Sequence, residues 1–442
     1  MRGSPLDLRR VLVVGAGTSG QGAVSALGEI AAAICVVDDG VKGSSWTPQS
    51  YSKVVFFGTQ RSFLQTFSSS WPTLVVLSPG FTPLPELISN HTEVIGEVEL
   101  GYRLSKGTLI GVTGTNGKTS VTQMISNMLD LAEIPAVAAG NIGVPFSKVA
   151  TQDGIKVVEL SSFQLERTTE LHLDVAIWTN FAPDHLDVHG SLKNYKAAKE
   201  RIWNNQGSKD LRVINADDAE VLSSERSSGV REVYFSLEKE AEFCVVGGEI
   251  LMTPQGPLAR ISELARHIPH ETANLLCAAA AALEVGAPMD AVSEYVRSFA
   301  GFEHRVEFVA SIEGVQFYND SKATSPAATI AAVEAFSSVV LLAGGRNKGL
   351  DLHELLKVKD RLKKVVVFGE VAETLAQIFS SEHVACEMAW SMEEAVRKGY
   401  SSAHRGDVVL LSPANTSFDW YENYGQRGLD FKDKVFKVAG GR

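Results

Sequence analysis

Only four cysteines occur in 442 residues, Cys35, Cys244, Cys277 and Cys386, and no two share a metal-ligand spacing. They are expected to be reduced and mostly buried, which excludes a disulfide framework and a cysteine metal site. Long apolar runs are missing too: Ala278 to Ala282 sits in an apolar stretch of about a dozen residues, too short to span a bilayer. Arg9-Arg10 ahead of Val11-Leu12-Val13-Val14 resembles the start of a secretory leader, but Gly15 to Gly22 interrupts it with glycine and polar residues. Positive charge is short as well. Lysine and arginine number 41 against 52 acids, a net charge of −11, which argues against non-specific nucleic-acid binding and leaves room for a local basic pocket. The expectation is a cytoplasmic protein with no membrane or nucleic-acid partner, and a monomer. Apolar content of 45% and charged content of 21% describe an ordinary globular chain, long enough for about two to four domains.

What the chain does have is phosphate-binding glycine. Residues 111–120 read Gly-Val-Thr-Gly-Thr-Asn-Gly-Lys-Thr-Ser, after the apolar Thr108-Leu109-Ile110 and before a segment with Met124, Ile125, Met128 and Leu129 at helical spacing. Strand, glycine loop and helix in that order form the setting of a phosphate loop. Glycine lets backbone N–H groups turn inward around phosphate oxygens at the positive end of a helix dipole. Lys118 would reach the terminal phosphates and Thr119 a magnesium ion. Val112 stands where the strict Walker pattern has its first glycine.

Strand and helix signals alternate along the whole chain, which predicts an α/β protein. A first unit, residues 1–97, has strands at Val11–Val14, Ile34–Val37, Val54–Phe57 and Leu74–Leu77. Gly15-Ala16-Gly17-Thr18-Ser19-Gly20 follows the first strand and Asp38-Asp39 the second, the pattern of a dinucleotide fingerprint, although such a loop holds other diphosphate nucleotides equally well. A second unit, 98–301, carries the phosphate loop, strands at Thr108–Val112, Lys156–Leu160, Val175–Thr179 and Arg212–Asn215, and a helix at Thr272–Val285. A third unit, 302–442, has strands at Val315–Tyr318, Val339–Leu342, Val365–Phe368 and Val408–Leu411.

Polar residues gather at strand ends. Glu159 closes one strand beside the phosphate loop, where magnesium is usually held, although it also reads as an exposed strand-end acid. His185, in Asn180-Phe181-Ala182-Pro183-Asp184-His185, offers an imidazole to a second metal, and a lone loop histidine also reads as merely solvated. In the third unit, Asn319-Asp320-Ser321-Lys322-Ala323-Thr324, Ala343 to Gly349 and Leu411 to Ser417 each follow a strand. Three such ends make a cationic, hydrogen-bonding mouth suited to carboxylate or phosphate.

Together Gly114 to Thr119, Glu159-Leu160-Ser161-Ser162-Phe163-Gln164-Leu165, His304-Arg305 and Asn319 to Thr324 resemble the Mur ligases, ATP-dependent enzymes that add amino acids to the peptidoglycan precursor. The run from Glu159 and the Gly15–Gly20 loop resemble most the D-glutamate-adding branch. The resemblance covers essentially the whole chain. It implies a Rossmann-like UDP-binding domain, a central ATPase domain and a carboxyl-terminal Rossmann-like domain. It further implies ATP contacts at Gly114, Thr115, Asn116, Gly117, Lys118, Thr119, Ser120, Asn274, Arg305 and Asp320. The UDP-sugar would meet Gly17, Thr18, Asp38, Gly80, Asn141 and His185, and D-glutamate would meet Thr324, Lys348, Ser417 and Tyr424. Two magnesium ions would be held by Thr119, Glu159, His185 and Lys199, the last as a carbamate. Lys118, Glu159, His185, Lys199 and Lys322 would carry the catalysis.

Departures from the family pattern are few. Glu271 stands where relatives usually have asparagine, Asn347 where an acid is common, and Tyr424 where phenylalanine is frequent. The implied reaction joins D-glutamate to UDP-N-acetylmuramoyl-L-alanine through an acyl phosphate, releasing ADP and phosphate. The alternatives are another amino-acid ligase of the family and, more remotely, a nicotinamide-dependent oxidoreductase, which leaves the phosphate loop and Glu159 unexplained.

Overall fold

Short, fully apolar runs between glycine loops fold as buried parallel strands, because both faces of each strand must be covered. The computed structural model describes residues 2–40 and 51–440 and holds three sheets. In the first, β1 (Val11–Val14), β2 (Ile34–Val37), β3 (Val54–Gly58), β4 (Leu74–Leu77) and β5 (Glu93–Gly96) run parallel in the order β3-β2-β1-β4-β5. The order reverses between β1 and β4, so the Gly15 and Ser78 loops leave adjacent strand ends at the switch point, where open α/β sheets take their ligands. Ser78 Oγ donates to the Gly15 carbonyl across that gap at 3.2 Å.

The second sheet has nine strands: β6 (Leu109–Thr113), β7 (Ala136–Gly140), β8 (Ile155–Glu159), β9 (Val175–Trp178), β10 (Leu211–Asn215), β11 (Arg231–Ser236), β12 (Phe243–Val246), β13 (Ile250–Thr253) and β14 (Gly256–Arg260). Their order is β14-β13-β12-β11-β10-β9-β6-β8-β7; β13 pairs antiparallel with both β12 and β14, and the other neighbours pair parallel. β6 therefore lies between β8 and β9, with Val112 beside Glu159 and Thr113 beside Trp178. The third sheet contains β15 (Glu307–Ile312), β16 (Val315–Asn319), β17 (Val339–Gly344), β18 (Leu362–Phe368), β19 (Cys386–Ala389) and β20 (Val408–Ala414) in the order β15-β16-β20-β17-β18-β19. Its three polar loops leave β16, β20 and β17, which are neighbours.

The chain packs into two compact units, residues 1–181 with 196–264 and 273–298, and residues 182–195 with 265–272 and 299–442. Within the first, the helix Thr18–Leu27 is set close against Pro145: a Cβ on Gly22 would lie 2.4 Å from the proline side chain. Glu97, wholly buried, accepts from the Ser147 amide and hydroxyl at 2.7 and 2.6 Å. Burial pushes its carboxyl upward against those donors. All four cysteines are free thiols, and Cys35, Cys244 and Cys277 are buried. Among the described residues, no helix is long and apolar enough to cross a membrane.

Gly20 marks the closest approach. A Cβ there would sit 1.8 Å from the Gly15 carbonyl oxygen. Alanine normally favours a helix over glycine by about 1 kcal/mol, but here it would force the loop open. Gly20→Ala is expected to destabilise by about 1–3 kcal/mol in denaturant unfolding; a stabilised variant would contradict the packing described.

Candidate active site

In the first unit the phosphate loop turns on two glycines, Gly114 at φ 151 and Gly117 at φ 80, the second lying directly before the helix Lys118–Leu131. Neither position has room for a side chain. A Cβ on Gly114 would meet Thr179 Oγ1 at 2.0 Å, and one on Gly117 would meet Asn274 Oδ1 at 2.7 Å. Gly117 makes no side-chain cap on this helix, and a helix N-terminus is a place that favours anions. The β9 end braces the loop: the Thr115 amide donates to the Asn180 carbonyl at 3.0 Å and the Asn116 amide to Asn180 Oδ1 at 2.8 Å. Thr179 Oγ1 donates to the Asn116 carbonyl at 2.6 Å.

Two lysine amines meet on one oxygen. Lys118 Nζ donates to the Gly114 and Thr115 carbonyls, both at 2.8 Å, and Lys199 Nζ donates to the same Gly114 oxygen at 2.7 Å. Lys199 is only 1% exposed. By its residues alone it reads as a solvated helix lysine, and that reading is wrong. Burial of an ammonium is costly unless charge or hydrogen bonds compensate it.

Glu159 is buried at the end of β8. Asn141 Nδ2 donates to its Oε1 at 3.0 Å, while Oε2 is buried with no hydrogen-bond partner. A carboxylate oxygen left in that state fits a cation, the ligand chemistry magnesium demands. Thr119 is half-buried on the first turn of the phosphate-loop helix, and Ser120 beside it is buried. At the first sheet, Asp38 accepts from the Ala16 and Gly40 amides at 2.6 and 2.7 Å, so its carboxylate shapes the first glycine loop. Gly17 and Thr18 at the head of the following helix are exposed, and open space lies about Gly80 at φ 80.

Among the described residues, His172, Asp174 and Asp210 also form a set with metal-ligand atoms. Arg2 already covers it, 2.8 Å from Asp174. That cluster and a cavity of about 400 Å³ beside it lie at the starts of β6, β9 and β10, the opposite sheet edge from the phosphate loop.

In the second unit His185 takes a left-handed backbone, φ 52, with its ring edge-on to Tyr195 at 6.3 Å. Asp184 beside it pairs with Lys348 at 2.8 Å. Burial would raise the Asp184 carboxyl, but Lys348 and His185 together hold it below the ordinary carboxylate value. Glu271 faces Arg266: Nη2 donates to Oε1 at 3.0 Å, and Nε lies 2.8 Å from Oε2, an ion pair too poorly aligned for a hydrogen bond. Burial nonetheless pushes Glu271 up to about 7. Arg305 is half-buried, and its carbonyl accepts from Arg266 at 3.4 Å. Asp320 is buried after β16, where it accepts from the Val306 amide at 3.2 Å and Ser412 Oγ at 2.7 Å, and burial pushes it up to about 7.

The mouth foreseen from three polar loops is a set of adjacent strand ends. Ser417 is buried there, Thr324 half-buried, and Lys322 lies 3.9 Å above the centre of the Tyr424 ring. Arg427, absent from the sequence expectations, ties the mouth together. From the helix Tyr424–Gly440 its buried guanidinium donates to Ser321 Oγ (3.0 Å) and to the carbonyls of Ser321 (2.9 Å), Asn415 (3.1 Å) and Thr416 (3.1 Å). Burial lowers its pKa to about 10. A single arginine on an amphipathic helix gives no pattern by which to find it.

Models of two protein families match the chain: the Mur ligase middle domain over residues 112–282, and the Mur ligase, glutamate ligase domain over residues 304–415. The UDP-N-acetylmuramoylalanine--D-glutamate ligase of Desulfitobacterium hafniense (strain Y51) is 38% identical over 450 residues, covering 97% of this chain and 98% of that one. The enzyme of the same name from Alkaliphilus oremlandii is 39% identical over 379 residues, 82% and 83% of the two chains. Among solved structures, the Thermotoga maritima MurF ligase in complex with ADP superposes with a TM-score of 0.62 at 16% identity, covering 98% of this chain and 99% of that one. The UDP-N-acetylmuramate-alanine ligase MurC of the same organism gives 0.60 at 18%, covering 97% and 99%.

The raised pKa of Asp320 sets a direction for stability. Its value is 3.8 in an open chain and about 7 in the fold, so the folded state holds the proton more tightly. Its contribution is complete below about pH 4 and is lost as pH rises through about 7, with a slope of up to about 1.4 kcal/mol per pH unit. Denaturant unfolding across that window is expected to show a shallower fall for Asp320→Asn than for the parent. Equal slopes would mean that the carboxyl is already ionised in the fold.

Proposed function

The chain belongs to the Mur ligase family, and from that membership we infer that it is the ATP-dependent ligase that adds D-glutamate to UDP-N-acetylmuramoyl-L-alanine. The observation that carries this reading is identity of 38% over 97% of the chain to a relative named for that reaction, together with a phosphate loop whose two glycines leave no room for side chains. Residues 1–97 are proposed as the UDP-binding domain, 98–301 as the ATPase domain and 302–442 as the carboxyl-terminal ligase domain.

A carboxylate oxygen of the UDP-sugar's L-alanine attacks the γ-phosphorus of ATP, and ADP leaves. The D-glutamate nitrogen then attacks the acyl carbon and gives up a proton. The tetrahedral intermediate collapses to the amide as phosphate departs. Little covalent work falls to the protein, whose task is to place the groups and balance their charge. Backbone amides of Gly114 to Ser120 cradle the phosphates, and Lys118 follows the charge on the transferred group. Asn274, against Gly117, and Arg305 and Asp320 in the second unit, are proposed as further nucleotide contacts. Thr119 and Glu159 would hold a magnesium ion, and the orphaned Glu159 Oε2 supports that role. Magnesium, when bound, neutralises phosphate oxygens and polarises the phosphoryl group. His185 is proposed as a ligand of a second ion. Gly17, Thr18, Gly80 and Asn141 line the UDP-sugar path, with Asp38 acting through the first loop's backbone. Thr324, Lys348, Ser417 and Tyr424 are proposed at D-glutamate, with Lys322 beside them. An acyl phosphate hydrolyses in water, so the reacting groups must be enclosed before transfer.

Lys199 is proposed as a carbamate. Two ammonium groups on the Gly114 carbonyl repel one another. Addition of CO₂ to the neutral Lys199 amine, with loss of a proton, makes an anion that keeps one N–H for that carbonyl and presents oxygens to magnesium. Enzyme equilibrated with 13C-bicarbonate is expected to show a carbamate resonance that is missing from Lys199→Ala. An unchanged spectrum in that variant would remove the proposal.

ADP release is expected only with the UDP-sugar and D-glutamate together, when a panel of D- and L-amino acids is offered. Turnover with L-lysine or meso-diaminopimelate in place of D-glutamate would move the chain to another branch of the family. In the same assay Lys118→Ala and Glu159→Ala, both folded, are expected to lose about 100-fold or more in kcat.

A further inference from the structure

Lys322 and Tyr424 come from opposite ends of the third sheet's sequence, yet they form one contact. The lysine follows β16 and the tyrosine opens the final helix. The ammonium stands 3.9 Å from the ring centroid, well inside the reach of about 6 Å at which an aromatic face attracts a cation. The backbone around both is locked. Ser321 Oγ donates to the Tyr424 carbonyl at 2.8 Å, and Arg427, one turn along the same helix, binds the Ser321 hydroxyl and carbonyl. His304 meets the ring edge-on, with centroids 6.1 Å apart and planes at 80°, and its own Nδ1 lies 2.8 Å from Asn319 Nδ2. The ring thus meets His304 with its edge and Lys322 with one face.

We propose that Tyr424 is a positioning residue whose ring face, not its hydroxyl, holds the Lys322 ammonium ready for the carboxylate of the incoming amino acid. The proposal rests on the reading of this mouth as the D-glutamate site. A lysine loses rotamer freedom when it binds an anion, and a side chain already held over a ring has less to lose. Its charge also stays directed, since an aromatic face attracts the cation without neutralising it. A phenylalanine presents the same face, so the change from phenylalanine to tyrosine at this position leaves the device intact. An electron-poor ring of the same shape would not.

The test replaces Tyr424 with phenylalanine and then with phenylalanines bearing one, two and three ring fluorines, inserted by amber suppression. Fluorine drains the ring face while changing its shape little. Measured against Tyr424→Phe, the fluorine series is expected to raise KM for D-glutamate stepwise to a total of about 3- to 30-fold. KM for ATP and the thermal midpoint should stay level, and Tyr424→Leu should resemble the most fluorinated ring. A flat fluorine series in folded enzyme, or a large loss in Tyr424→Phe, overturns the proposal: the first removes the cation–π contact and the second assigns the effect to the hydroxyl. Failure of the parent enzyme to use D-glutamate would instead overturn the function on which the proposal rests.

Discussion

A single carbonyl oxygen, that of Gly114, accepts from both Lys118 and Lys199. Much of the central sheet's architecture serves to make that arrangement tolerable. The glycines at 114 and 117 allow the loop to curl, the β9 end braces it through Thr179 and Asn180, and β8 brings Glu159 alongside β6. Positive charge gathers over a loop whose backbone amides already favour anions, with one acid buried beside it. Such a site is poised for polyphosphate and its counter-ion.

The carboxyl-terminal sheet meets a different constraint. Three neighbouring parallel strands end in polar loops, and those after β17 and β20 pair through Arg346 and Thr416. Arg427 links the loops after β16 and β20 by donating to carbonyls of both. Asp184, paired with Lys348, restrains the loop that also carries His185.

The motifs that obey backbone rules were readable in the amino-acid sequence. Strand–glycine–helix order located the phosphate loop, and apolar runs located β1 to β4, β6, β8 to β10, β16 to β18 and β20 with end errors of a residue or a few. The run β11 to β14 and the edge strands β5, β7, β15 and β19 went unseen, because short or half-exposed strands carry weak periodicity. Glu159 was found because a strand end beside a phosphate loop is a place with a meaning. Arg427, the burial of Lys199 and the Asn141–Glu159 bond were not found by residue patterns, since each depends on which strands become neighbours. That the three loops of the mouth adjoin one another is likewise a property of sheet order, visible only once β20 is inserted between β16 and β17.

The reaction through an acyl phosphate requires that phosphate pass through the substrate's own carboxylate. UDP-N-acetylmuramoyl-L-alanine labelled with 18O in its alanine carboxylate, turned over with ATP and D-glutamate, tests it directly. An acyl phosphate carries one labelled oxygen between carbon and phosphorus, so the inorganic phosphate released should contain one 18O and the new amide should retain the other. Unlabelled phosphate, formed while amide accumulates, would contradict the account.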